Sequence, residues 1–259
     1  MTGFDPGSIS QFGGVKNVLY VSSATSTSDL AKQKLLESRS IHLPLLVLCD
    51  HQTAGRGQRG NSWESNGHSL TFTWCVSVNS VPTENHALLP LIAGLSVCEA
   101  IESSGVKGPK LKWPNDVLLN RKKVCGILVE KISSGDQAWF LIGVGINVNQ
   151  TAAELESLGS TQTSIPPASL RASLGEEIRI QQLLESILGQ LMENTSAARN
   201  WSRKLDERFE FLHEKVNFTK PDGDTVVGMF RGVDESGQIV IEVDGQRHAF
   251  ASGRCSPIT

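Results

Sequence analysis

Gly55-Arg-Gly-Gln-Arg-Gly60, followed by Asn61-Ser-Trp63, is the stretch on which the reading of this chain turns. Its spacing matches G-x-G-x-x-G, a dinucleotide-binding turn. That fingerprint needs a helix to open at the loop, so that a pyrophosphate sits on the helix N-terminus. Here Asn61–Gly67 is polar and turn-like, and Ser69–Val78, alternating and rich in Thr, Phe and Val, reads as a strand. The dinucleotide fold is therefore excluded. Three glycines still free the backbone to bring N–H groups close to a ligand, and Arg56 and Arg59 add forks suited to carboxylate or phosphate. A solvated loop with incidental arginines reads the segment equally well.

Upstream of the loop, Val18–Val21 reads as a strand. Ser26, Thr27, Ser28 and Asp29 offer N-caps to a helix over Leu30–Ser38, and Leu45–Cys49 is an apolar strand. Downstream, His86–Ser103 is long and apolar enough for a helix buried across a sheet. Lys110–Leu119 is a strand broken at Trp113-Pro-Asn-Asp116. Val124–Ile132 and Ala138–Val148 form a hairpin around Ser134-Gly-Asp136. From Ile180, the residues Leu183, Leu184, Ile187, Leu188, Leu191 and Met192 keep helical spacing, and a second helix is expected through Trp201–Phe211. Beyond 211, four short runs (Val216–Phe218, Thr225–Phe230, Gln238–Val243 and Arg247–Ala251) alternate with turn signals, as in a small β-barrel. The expected organisation is a loosely attached N-terminus over 1–15, a catalytic domain over 16–211 and a small barrel over 212–259.

Composition sets outer limits. The chain has 259 residues, 39% of them hydrophobic, and a net charge of −3, a balance that argues against a nucleic-acid-binding face. Five widely spaced cysteines without a CxxC pair read as reduced and buried, not as a disulfide framework or zinc site. The polar N-terminus is no secretory signal, and the longest apolar stretches, such as Ala87–Val97, are too short to cross a bilayer. A cytoplasmic protein with no DNA or membrane partner is expected.

Three further segments carry chemistry. Lys112-Trp-Pro-Asn-Asp116 is either a plain strand bend or a kink that presents Lys112, Asn115 and Asp116 at a strand edge. Asn115 could then hold a phosphate oxygen and Asp116 Mg²⁺, directly or through water. Lys123-Val-Cys-Gly-Ile-Leu128 places a lysine, otherwise simply solvated, at the mouth of a buried strand. Gly126, and Gly143-Val-Gly-Ile-Asn147 in the partner strand, leave a slot with apolar walls and no side chains, suited to a flat ring. The histidines show no metal-ligand spacing, and Glu99 and Glu102 read as the solvated edge of a helix.

These four motifs, in this order and rough spacing over residues 15–255, resemble the biotin–protein ligases. The resemblance implies an α+β fold: a mixed β-sheet with helices on one face, of class II synthetase type, plus a C-terminal SH3-like barrel. It implies that biotin and ATP form biotinyl-5′-adenylate and pyrophosphate, and that the biotinyl group then passes to a lysine of a biotin carboxyl carrier domain. By the same resemblance Ser26, Thr27, Gln52 and the Gly55–Arg56 backbone bind the ureido head, while Gly126 and Gly143 flank the bicyclic ring. Arg56 and Lys123 meet the carboxylate and the adenylate phosphate, with Lys112 as a further catalytic cation. Gln58, Arg59, Asn61 and Trp63 belong to the ATP side, as do Asn115 and Asn147, and Asp116 helps hold Mg²⁺. The alternatives are a lipoate–protein ligase or transferase of the same fold, and a non-enzymatic biotin-binding regulator. The short leader before the catalytic region leaves no room for a helix-turn-helix domain. Either a monomer or a homodimer is compatible.

Two positions depart from the family pattern. Ser28 stands where asparagine is usual, and Gln58 where many members have arginine. Losing that cation weakens the grip on the adenylate phosphate. Gln58→Arg should therefore slow release of the adenylate; equal release rates for the two proteins would refute this.

Overall fold

The computed structural model describes residues 4–9, 14–37, 41–158, 165–198 and 201–258. Seven strands build the main sheet: β1 (Asn17–Ala24), β2 (Leu45–Gln52), β5 (Ser69–Ser77), β6 (Lys110–Lys112), β7 (Asp116–Leu119), β8 (Lys122–Ser134) and β9 (Gln137–Asn147). Their order is β1-β2-β5-β9-β8-β7-β6. The β1–β2 pair is parallel and the others are antiparallel, so the sheet is mixed, as expected. The loop that opened the analysis is itself a tiny hairpin, β3 (Gly55–Arg56) against β4 (Ser62–Trp63), closed by a 3₁₀ turn over Gln58–Gly60. No α-helix opens there, which bears out the rejection of the dinucleotide fold.

Side-chain alternation divides the sheet into two faces. Leu46, Leu48, Phe72, Trp74, Ile142, Val144 and Ile146 point to a large core, where they meet α3 (Leu89–Ser103). α6 (Ile180–Ser196) packs behind α3 in that core, and Leu183, Leu184, Ile187, Leu188 and Leu191 are all buried, as their spacing predicts. Their neighbours Leu45, Val47, Cys75 and Leu141 point the other way, onto α2 (Thr27–Glu37) through Ala31 and Leu35. Helices therefore lie on both faces, not on one. α2 lies over β2, β5 and the Trp139–Leu141 end of β9, and the face beyond it, over the glycine-bearing part of β8 and β9, is left open.

The remaining helices are short: α1 (Pro6–Ile9), α4 (Ala152–Leu158), α5 (Leu170–Leu174) and α7 (Ser202–Asp206). α1 corrects the expectation of a loose N-terminus for the residues described. Ile9 is fully buried, Phe4 meets Tyr20 edge-on, and the Asp5 N–H donates to Gln181 on α6. α7 ends well short of Phe211. Residues Arg208–Glu210 instead run beside β6, where the Leu111 N–H donates to the Arg208 carbonyl and the Glu210 N–H to the Leu111 carbonyl. Glu99 and Glu102 are not simply solvated. Glu99 takes Lys204 at 2.7 Å and Glu102 takes Arg208 at 2.8 Å, which ties this segment to α3.

The C-terminal unit is a five-stranded antiparallel sheet ordered β13-β12-β11-β10-β14. It comprises β10 (Lys215–Thr219), β11 (Thr225–Val233), β12 (Ile239–Val243), β13 (Gln246–Phe250) and a strand that the sequence did not announce, β14 (Arg254–Pro257). It rests on Trp113, whose indole N–H donates to the Gly237 carbonyl at 3.0 Å and whose ring meets Phe218. All five cysteines are free and buried, as expected. Among the described residues no helix is long and apolar enough to cross a membrane.

Truncating the best-buried residue of α1 tests that correction. Ile9→Ala should cost about 2–4 kcal/mol of unfolding free energy in a denaturant titration. A loss under about 0.5 kcal/mol, the size of an ordinary surface change, would mean that α1 is not part of the core.

Candidate functional site

The open half of the α2 face holds a pocket, and strand register explains its shape. Thr71 on β5 stands opposite Gly145 on β9, Gly145 opposite Gly126 on β8, and Gly126 opposite Asp116 on β7. The next row along runs Thr73, Gly143, Leu128. The slot expected from the glycines is present, but its two facing members are Gly126 and Gly145, with Gly143 one row away. In this structure the slot has an occupant. The Trp63 indole lies on it so closely that a Cβ at Gly145 would stand 2.3 Å from the ring, and one at Gly126 3.2 Å. Gly55 allows that approach, since a Cβ there would stand 2.2 Å from the Trp63 carbonyl.

One end of the pocket is neutral and hydrogen-bonded. Gln52 Oε1 accepts the Thr27 N–H at 2.7 Å and the Thr27 hydroxyl at 3.2 Å. The Thr73 hydroxyl donates to Thr27 Oγ1 at 2.8 Å and lies 3.0 Å from Ser28 Oγ. Ser26, Thr27 and Gln52, expected together from the sequence, do line this end, with Ser28 beside them.

The other end is cationic. Asp116 sits between two lysines, Lys123 Nζ at 2.6 Å from Oδ1 and Lys112 Nζ at 3.3 Å from Oδ2. Burial pushes the Asp116 carboxyl up, and Lys123 and Lys112 more than reverse this, so it ionises below the usual carboxylate range. Lys123 reaches this face through a β-bulge. Register with β7 slips between Val117 and Leu118, so Val124 is the extra residue. In a regular strand Lys123, three residues before Gly126, would point into the core; the bulge returns it to the glycine side. Its ammonium also lies 5.9 Å from the Trp63 ring centroid.

The hairpin adds two arginines. Arg56 is held at the rim by both oxygens of Glu130, at 3.1 and 2.8 Å, and by Asp29 at 2.9 Å. Arg59, in the left-handed backbone region at φ 57°, donates to the Gly253 carbonyl of the C-terminal unit. Desolvation and the neighbouring Arg254 both lower its pKa. Arg254 and Gly253 line the pocket as well, and sequence reasoning missed them. They lie almost two hundred residues from the loop and carry no motif.

Gln58, Asn61 and Trp63 line the pocket, and so does Asn115. Asn115 is engaged with protein: its side-chain amide donates to the Ile127 carbonyl at 2.7 Å, and its backbone carbonyl accepts the Ile127 N–H. Asn147 is buried outside the pocket lining, and its amide donates to the Ala168 carbonyl at 3.1 Å. Asp116 does not fit a direct metal ligand as it stands, because each oxygen already takes an ammonium group. Among the described residues no three His, Cys, Asp or Glu side chains cluster to hold an ion. The arrangement suits a ligand with a neutral polar head, a flat ring and an anionic end, brought up to further anions.

Known proteins share this arrangement of elements. The model of the biotin/lipoate A/B protein ligase family matches residues 18–147, and that of the biotin protein ligase C terminal domain matches residues 211–256. The biotin–[acetyl-CoA-carboxylase] ligase of Mycobacterium tuberculosis is 29% identical over 81% of this chain and 77% of its own. The bifunctional ligase/repressor BirA of Escherichia coli is 30% identical over 81% of this chain and 65% of its own length. The solved biotin protein ligase from Aquifex aeolicus, in complex with biotin and ATP, is 28% identical. It superposes with a TM-score of 0.73 over 93% of this chain and 98% of that one.

The Arg56 clasp yields a prediction. Glu130→Gln removes one of the two carboxylates that compete for the guanidinium. Binding of inorganic pyrophosphate should tighten about two- to fivefold at low salt, the scale of an exposed ion pair, and the gain should shrink at high salt. Unchanged affinity at both salt concentrations would show that the clasp does not compete with anions.

Proposed function

Because the chain belongs to the biotin/lipoate A/B protein ligase family, we propose that it is a biotin–protein ligase, joining biotin to a lysine of a carboxylase carrier domain through biotinyl-5′-adenylate. The observation that carries this reading is the slot over Gly126 and Gly145, with a hydroxyl- and amide-lined end on one side and Lys112, Lys123, Arg56, Arg59 and Arg254 on the other. A cyclic urea matches the first end. A carboxylate that must approach a triphosphate needs the second.

In the first half-reaction a biotin carboxylate oxygen attacks the α-phosphorus of ATP, and pyrophosphate leaves. Two anions must come together, so Lys123 and Arg56 serve by neutralising charge and by fixing the approach. Lys112, bonded to Asp116, keeps that carboxylate from repelling the incoming phosphate. Arg59 and Arg254, which line the same pocket, are suited to receive the leaving pyrophosphate. In the second half-reaction the unprotonated acceptor amine attacks the acyl carbon and AMP leaves with the bonding pair. The mixed anhydride is prone to hydrolysis, and the β3–β4 hairpin with Trp63 is suited to cover it. Mg²⁺ bound to the ATP phosphates would reduce the charge that the carboxylate must approach. Five buried thiols suit a reducing compartment, so we place the protein in the cytoplasm.

The test is incubation with ATP, Mg²⁺, biotin and a biotin carboxyl carrier domain, read as the mass gain of the carrier. Biotin-dependent exchange of labelled pyrophosphate into ATP should accompany it. Exchange with lipoate but not biotin would favour the sister activity. Lys123→Ala and Arg56→Ala should each lower the exchange rate by a hundredfold or more, on the order of the loss of a transition-state charge contact. Arg56→Ala should leave thermal stability close to that of the natural protein, whereas Lys123→Ala strips the buried Asp116 of its nearer ammonium and should lower it, so its exchange rate is compared per folded protein. Full specific activity in either variant would overturn the assignment.

A further inference from the structure

Thr71 stands out among the polar groups of the pocket. It is 4% exposed, its hydroxyl is shielded from solvent, and that hydroxyl has no hydrogen-bond partner among the described residues. Two residues along the same strand, Thr73 is satisfied by Thr27 and Ser28. A buried hydroxyl without a partner is costly, and valine would fill the same volume in a strand without that cost. The hydroxyl also lies at a decisive place. Thr71 begins the row Thr71, Gly145, Gly126, Asp116, so it forms the wall of the glycine slot opposite the lysine-bound carboxylate. At the usual strand spacing the two walls stand about 14 Å apart, with two glycines between them. The slot's occupant tells the same story. The Trp63 indole N–H is likewise buried and without a partner among the described residues, and a Cβ on Gly145 would lie 2.5 Å from it. A flat ring with a polar edge fits this strip sterically, and the indole leaves the polar group of the wall unanswered.

We propose that the Thr71 hydroxyl is a binding group for the acid substrate, hydrogen-bonding a heteroatom of its heterocycle when that ring lies on the Gly126–Gly145 strip. The inference rests on the reading of biotin as substrate. It adds a specificity contact: an acid whose ring lacks a polar edge leaves the hydroxyl as unsatisfied as it is now.

Thr71→Val and Thr71→Ser in the full chain separate this role from a structural one. Removing an already unsatisfied hydroxyl should leave the melting temperature of the unliganded Thr71→Val protein equal or higher. Its dissociation constant for biotin, by calorimetry, should rise about tenfold, the loss of one hydrogen bond. KM for biotin should rise in step while kcat holds. Thr71→Ser should bind biotin within about twofold of the natural protein, and binding of α,β-methylene-ATP should not change in either variant. Unaltered biotin affinity in Thr71→Val would overturn the proposal, and so would a loss confined to the nucleotide analogue. A lowered melting temperature with normal affinity would make the residue structural and also overturn it. A natural protein that binds no biotin would remove the underlying reading. Normal binding by the natural protein with normal binding by Thr71→Val would remove only this inference.

Discussion

Two glycines facing one another across β8 and β9 are the constraint from which the rest of the site follows. A strand interior without a side chain is weak in itself, since it adds backbone freedom to the unfolded chain and leaves nothing to pack. Here the loss is confined to one face. The alternate residues Val144, Ile146 and Ile127 point to the large core and are almost fully buried. The sheet is thus held from behind, and its front can be left bare over Gly126 and Gly145. Any side chain at Gly145 would collide with whatever lies flat on the strip, as it would now with Trp63.

The charges around this gap are largely answered from within the protein. Lys112 and Lys123 share Asp116, Arg56 lies between Glu130 and Asp29, and Arg59 donates to a backbone carbonyl of the other sheet. Unpaired cations at a half-buried rim would repel one another and lower stability. Internal partners relieve this, and they are of two kinds. Asp116 is deep and polarised by two lysines, so it gives them up at a high cost. Glu130 and Asp29 are partly exposed, and their hold on Arg56 is screened by water and salt. The lysines therefore belong to the fixed frame of the site, whereas Arg56 is readily exchanged between partners.

Much of this was legible in the sequence, because alternation and turn chemistry act over a few residues. The β8–β9 hairpin, the amphipathic α6 and the bend at Trp113–Asp116 all announce themselves in that way. So did the non-helical character of the glycine loop, since what followed it was a strand. What was not legible depends on register or on distance. The pairing of Gly126 with Gly145, and not Gly143, is set by which residues face each other across two strands. The turn of Lys123 toward the glycines depends on a one-residue bulge that no residue type marks. The helix expected through Phe211 gave way to a β-bridge with Leu111, a tertiary contact that outcompetes local helical preference. Arg254 reaches the pocket only because a second sheet docks beside it.

That docking has a consequence for how the chain can be divided. The Arg208–Glu210 segment is at once the tether to the C-terminal sheet and an extra edge partner for β6, the strand that carries Lys112. Cutting the chain after α7 would bare the Leu111 N–H and carbonyl on an open sheet edge and strip Trp113 of its cover. The two sheets are modules by sequence, yet they share a seam. Grafting, swapping or trimming the smaller one is therefore an operation on the active centre, and the seam, not the family boundary at residue 211, marks where such engineering must begin.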